Sequence, residues 1–198
     1  MLGVDYHHQK TTMSAQLEPR RFNVAEYYQM AKAGILKPDD RVELIEGEII
    51  KMSPIGSPHA ACVSRLVRFL SRAIGETAIL SVQNPVRLDD YFEPVPDIAL
   101  LKPRKDYYAD HHPIPADVLL VIEVADTSLL KTRNIKVPLY ARAGITEVWL
   151  VNLPKESIEV YSEPQNGKYR KCQKHKRGET VESPTVKGLS LTVNEILG

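Results

Sequence analysis

Glu123 interrupts an aliphatic run, "LLVIEVADTS" over residues 119–128, that otherwise reads as a buried strand. A carboxylate so placed loses its water, which costs several kcal/mol unless a cation or good hydrogen bonds replace it. Earlier in the chain, "PVPDIALLK" sets Asp97 at the front of a second apolar run. Neighbouring antiparallel strands lie only ~4.8 Å apart, so such strand ends can come within reach of one ion. Two carboxylates that close repel each other, and either one takes a proton or a divalent cation holds both. Mg²⁺, or Mn²⁺ in its place, suits hard oxygen ligands while keeping several waters. Lys136, on the element after Glu123, can aim an ammonium at the same place. Together these groups suit hydrolysis of a phosphodiester, the ion polarising a phosphoryl oxygen and the lysine steadying the attacking water or the developing charge. A nucleic acid is the substrate such chemistry implies.

Each of these residues also has a plainer reading. Asp97 follows Pro96, and Asp and Pro both favour strand ends for local reasons. Glu123 could form a buried salt bridge with Lys136 or Arg133 in a protein that binds no metal. An isolated lysine on an amphipathic helix usually belongs to a solvated face.

The elements that must hold these groups can be read from pattern. "NVAEYYQMAKAGI" gives a short helix with Asn23 as N-cap and Gly34 closing it, and "DRVELIEGEIIKMSP" gives two strands around Glu46-Gly47. "SPHAACVSRLVRFLSRAIGE" is an amphipathic helix with Ala60, Val63, Leu66, Val67, Leu70 and Ile74 on one face and Gly75 as its stop. Extended runs follow at Ile79–Val82, at Val86 and Leu88, in "PVPDIALLK" and in "DVLLVIEVA", the last two separated by a loop from Pro103 to Pro115. Ile135, Leu139, Tyr140 and Ala143 have helical spacing before Gly144, and Pro138 means that regular helix begins just before it or kinks there. "ITEVWLVNL" reads as a central strand, "SIEVYSEPQNGKYRKC" as a hairpin turning at Asn166-Gly167, and "LSLTVNEIL" as a closing segment.

The 198 residues, 43% of them hydrophobic and 26% charged, suffice for one domain, expected over 21–198 behind a flexible tail at 1–20. The net charge of +1 supplies no global field toward DNA, so an anionic partner must be met by a local patch. "KYRKCQKHKR" is that patch: Lys168, Arg170, Lys171 and Lys174 lead six basic residues that can hold phosphates without reading bases. Its other reading is an edge hairpin kept soluble by charge. Cys62 and Cys172 lack metal-site spacing, and no stretch approaches the ~18 apolar residues of a membrane span. A cytoplasmic protein without membrane contact is expected.

"PDIAL", "VIEVADTS" and "KVPLYARAGITEVWLVN" resemble, in order and spacing, the Uma2 family of the PD-(D/E)XK nuclease superfamily. The resemblance extends from Phe22 onward through "RVELIEGEIIKMSPIGSPH" and "VQNPVRLDDYFEPVPD". It implies an α/β fold with a restriction-endonuclease-like core, a mixed central sheet flanked by helices, with an added C-terminal β-hairpin. It further implies a metal-dependent DNA endonuclease with Asp97 and Glu123 as metal ligands. In the superfamily a lysine stands two residues after the acidic one; that position is Ala125 here, and the family pattern selects Lys136 from the following helix. Glu43 matches a third acidic residue added to the metal site, and His59 the histidine after the proline-rich turn. Thr132 and Asn152 stand where family members often carry acidic residues. By analogy with nucleases of this size, a homodimer is expected.

Three functions follow from these residues. The first is Mg²⁺-dependent cleavage of DNA. The second is a catalytically inactive module that binds nucleic acid or protein and keeps the fold. The third is a hydrolase using Cys62 with His59, for which no base-orienting partner is evident.

Overall fold

The parallel pair at the centre of the sheet is what requires the helical crossover that carries the lysines. The computed structural model describes residues 19–198, so the tail expected over 1–20 falls almost wholly outside the described residues. Its strands are β1 (Val42–Ile45), β2 (Glu48–Lys51), β3 (Ile79–Val82), β4 (Ile98–Leu101), β5 (Val118–Ala125), β6 (Glu147–Asn152), β7 (Ser157–Gln165), β8 (Lys168–Lys176), β9 (Thr180–Glu182) and β10 (Ser190–Thr192). Its α-helices are α1 (Val24–Lys32), α2 (Ser57–Ile74), α3 (Leu129–Lys131), α4 (Val137–Arg142) and α5 (Val193–Leu197). Six strands form one mixed sheet in the order β3-β4-β5-β6-β7-β8, with β5 and β6 parallel and the other neighbours antiparallel. A parallel pair cannot be joined by a hairpin. The crossover is the run from Leu129 to Arg142.

Alternation along the strands builds two cores on the two faces of this sheet. On one face Leu66 and Leu70 of α2 meet Ile98, Leu120, Ile122 and Trp149, all fully buried and each worth roughly 1.5–3 kcal/mol relative to exposure. On the other face Tyr140 of α4 meets Val121 and Val148, with Ile45, Val86 and Phe92 packed alongside. The expected stripe of α2 is therefore buried, except that Val67 is half-buried, Ala60 is exposed and Cys62 takes a core position. Glu147 is a buried carboxylate of purely local use, accepting from Trp149 Nε1 (2.5 Å), Ser183 Oγ (2.6 Å) and the Thr185 amide (3.1 Å).

Two expectations are corrected. Val86 and Leu88 are buried but form no strand, because their amides donate to the carbonyls of Pro94 and Phe92 in the same loop instead of to a ladder. Ile135, expected on the inner face of its helix, is exposed, while its neighbour Lys136 is buried. Ile135 stands at the edge of its stripe, about 140° round the helix from Tyr140 at ~100° per residue, and a π-helical turn spans Thr132–Lys136, closed by the Val137 amide donating to the Thr132 carbonyl. Pro138 has no amide to give the Asn134 carbonyl and its ring crowds that carbonyl, so the turn widens by one residue and every side chain on it rotates. Among the described residues no helix is long and apolar enough to cross a membrane.

Candidate active site

The register of β4 against β5 pairs Ile98 with Ile122. One further step sets Asp97 opposite Glu123, and alternation turns both toward the face that carries Val121. Asp97 Oδ2 accepts from the Val124 amide (2.8 Å) and lies 3.0 Å from His59 Nε2 in the first turn of α2. Gln83, at φ 51°, donates its amide to the Asp97 carbonyl (3.1 Å), and its Nε2 stands 3.4 Å from Asp97 Oδ1.

Glu123 Oε1 accepts from the Tyr140 hydroxyl (2.6 Å) and from Lys136 Nζ (2.6 Å). The same ammonium lies 3.3 Å from Glu43 Oε2. Glu43 in turn accepts from Lys131 Nζ (2.9 Å) and from the Val95 amide (3.3 Å). Glu43, His59, Asp97, Glu123, Lys131 and Lys136 thus line one cleft of about 230 Å³. All the acid, lysine and histidine positions expected at the site are in it.

Burial pushes the Glu123 carboxyl up to about 7, a rise that the Lys136 ammonium opposes and the nearby Asp97 charge assists. Burial alone would depress the Lys136 ammonium, but the Glu123 and Glu43 carboxylates more than offset this and hold it above its ordinary value. Glu43 stays below the usual carboxylate range because Lys136 and Lys131 outweigh its burial. The Asp97 hydrogen bond raises His59 above the ordinary imidazole value.

A divalent ion fits this donor set through two carboxylates. With Oε1 of Glu123 taken by Tyr140 and Lys136, no donor among the described residues reaches its Oε2. Asp97 Oδ1 has only the long contact from Gln83. Hard oxygens lining one small cleft match an ion that keeps most of its waters. Among the described residues no three His, Cys, Asp or Glu side chains group closely enough to hold one ion, and Glu43 is committed to its lysines.

Three site residues escaped the sequence reading. Tyr140 stands four residues after Lys136, a helical spacing that could have linked it to the same partner. Lys131 repeats Lys136 five residues earlier, a spacing that only a π turn makes meaningful. Gln83 gave no signal beyond preceding Asn84-Pro85. The basic residues lie apart: Lys168, Arg170, Lys171 and Lys174 are exposed on the edge strand β8, with Lys171 paired to Glu163 (2.5 Å). Cys62 is no nucleophile, since it is fully buried, donates to the Ile196 carbonyl (3.4 Å) and has its thiol pushed up to about 11 by burial. The imidazole that would serve it is turned to Asp97.

A family model described as "Uma2: Putative restriction endonuclease" matches residues 24–194. A search of curated proteins finds no match. Among solved structures, one described as a "putative nuclease belonging to DUF820 from Anabaena variabilis" is similar at 19% sequence identity and a TM-score of 0.67. The similarity covers 84% of this chain and 94% of that one and concerns the fold.

Proposed function

The chain belongs to the Uma2 family, and from that premise we propose that it is an endonuclease hydrolysing DNA phosphodiester bonds, with Mg²⁺ or Mn²⁺ held by Asp97 and Glu123. The observation that carries this is the in-register meeting of two carboxylates in one cleft, with a buried ammonium 2.6 Å from one of them. When bound, such an ion supplies polarisation of a phosphoryl oxygen and neutralises its charge.

The chain's own groups do the rest. The Val124 amide and His59 fix the rotamer of Asp97, and Tyr140 and Lys136 fix that of Glu123, so both carboxylates are set before an ion arrives. The Lys136 ammonium stabilises negative charge as it develops on the attacked phosphate, water being the nucleophile. Glu43 acts through Lys131 and Lys136, in place of the direct ligand role expected of it. Lys168, Arg170, Lys171 and Lys174 hold the DNA backbone beyond the cleft. Free thiols at Cys62 and Cys172 support a reducing, cytoplasmic setting.

Plasmid nicking tests the proposal. Nicking is expected with Mg²⁺, none with EDTA, and at least a roughly hundredfold loss in Asp97→Ala and in Glu123→Ala. Nicking that persists in both variants, or DNA binding without any nicking, would overturn it.

A further inference from the structure

We infer that Arg41 grips the DNA phosphate next to the one being cut, an inference that rests on the phosphodiesterase reading. Arg41 directly precedes β1, and its carbonyl accepts from the Met52 amide (2.8 Å), which carries the pairing of β1 with β2 one residue further. Side chains two apart on a strand share a face, so Arg41 follows Glu43 toward the cleft, and both line it. The guanidinium Nη1 reaches the Ser53 carbonyl (3.5 Å), in the segment that leads into α2 and His59. An exposed arginine is ordinarily a solvated surface group. Arg41 differs in facing a cleft whose other cations are already committed.

Lys136 is held by Glu43 and Glu123, and Lys131 by Glu43. Among the described residues no carboxylate pairs with Arg41, and the first turn of α2 carries no acidic side chain to compete for it. The Ser53 contact lies at the outer limit of a hydrogen bond and takes one of five N–H donors. The rest form a planar fork that matches two phosphate oxygens at once, which a lysine ammonium does not. Depth decides which phosphate this is. The Asp97 and Glu123 side chains on the floor are only 12% and 6% exposed, whereas Arg41 is exposed at the mouth. The cleft volume of about 230 Å³ lies below the ~300–1,000 Å³ of small-ligand pockets and has room for one phosphodiester with an ion and waters. Successive phosphates of a strand are joined through the sugar, so with one on the floor its neighbour stays at the mouth, beside Arg41.

The test sets a duplex oligonucleotide beside bis(p-nitrophenyl) phosphate, a diester with no neighbouring phosphate, in wild type, Arg41→Gln and Arg41→Lys. A contact made equally before and during the reaction changes KM and not kcat. In Arg41→Gln, KM for the oligonucleotide is expected to rise about tenfold with kcat within about twofold. The ratio of kcat/KM for DNA to that for the small diester should fall about tenfold with it. Arg41→Lys keeps the charge without the fork and should recover part of the loss. Anisotropy of a labelled oligonucleotide on the metal-free protein reads the contact without hydrolysis, and its salt-dependence slope should drop by about 1 in Arg41→Gln but not in Arg41→Lys. An unchanged slope and KM, or an equal loss on both substrates, would overturn the inference. A slope that depends on Arg41, with neither substrate cut, would uphold the phosphate contact and refute the phosphodiesterase reading instead.

Discussion

Lys136 holds an ammonium in the protein interior between Glu43 and Glu123, at 3.3 Å and 2.6 Å. Three charges taken out of water are tolerable only as a set, because removing the middle one leaves two buried carboxylates to repel each other. Lys136→Met is therefore expected to cost about 3–5 kcal/mol in urea unfolding, together with loss of nicking. Lys131→Met, whose ammonium reaches solvent, is expected to cost no more than about 1 kcal/mol. Equal losses in the two variants would contradict the arrangement. At this scale much was legible: a carboxylate inside an aliphatic run demands a partner, and that demand singled out Glu123 before any fold was known. Tyr140 was legible only as a core aromatic, because nothing in the residue type says where a hydroxyl points.

The crossover between β5 and β6 shows where element-level reading stops. Ile135, Leu139, Tyr140 and Ala143 mark a helix by their period, and Pro138 marks its irregularity. Yet Ile135, at the edge of that stripe, is exposed, while Lys136, four residues before Tyr140, is buried with it. One skipped hydrogen bond leaves no periodic trace over five residues, so the wide turn is invisible in sequence although it brings Lys131 and Lys136, five residues apart, to the same carboxylate. Pro138→Ala restores the missing amide and removes the ring's crowding of the Asn134 carbonyl. The variant is expected to unfold at higher temperature, as the segment relaxes toward regular α-helix, and to cleave at least tenfold more slowly as Lys131 and Lys136 cease to face Glu43 together. Cleavage at the wild-type rate would show that the wide turn does not position the lysine. The hairpins were easier to read, since Glu46-Gly47 and Asn166-Gly167 supply the positive φ angles that tight turns need.

Across the whole molecule, strand pairing links the cleft to the basic edge. Glu123 pairs with Leu150, Leu150 with Glu159 and Glu159 with Lys174, a single row on one face of the sheet. Three strand spacings of about 4.8 Å put Lys174 roughly 14 Å from Glu123, whereas Lys168 lies at the opposite end of β8. With a net charge of only +1, attraction to DNA depends on such local placement. Lys174→Glu is expected to weaken DNA binding and to lower the salt-dependence slope by about 1, with a smaller effect from Lys168→Glu. Equal effects would mean that DNA runs along the whole edge strand. The strip itself was plain in the sequence. Its level with the carboxylates was not, because strand order and direction arise from contacts between distant segments.

The proposed nuclease depends on Asp97 and Glu123 sharing one divalent ion. A Mn²⁺ titration followed by electron paramagnetic resonance tests that most directly. Wild type is expected to show one saturable site that disappears in both Asp97→Ala and Glu123→Ala. A site left intact by either substitution, or no saturable site in a folded wild-type protein, would contradict it.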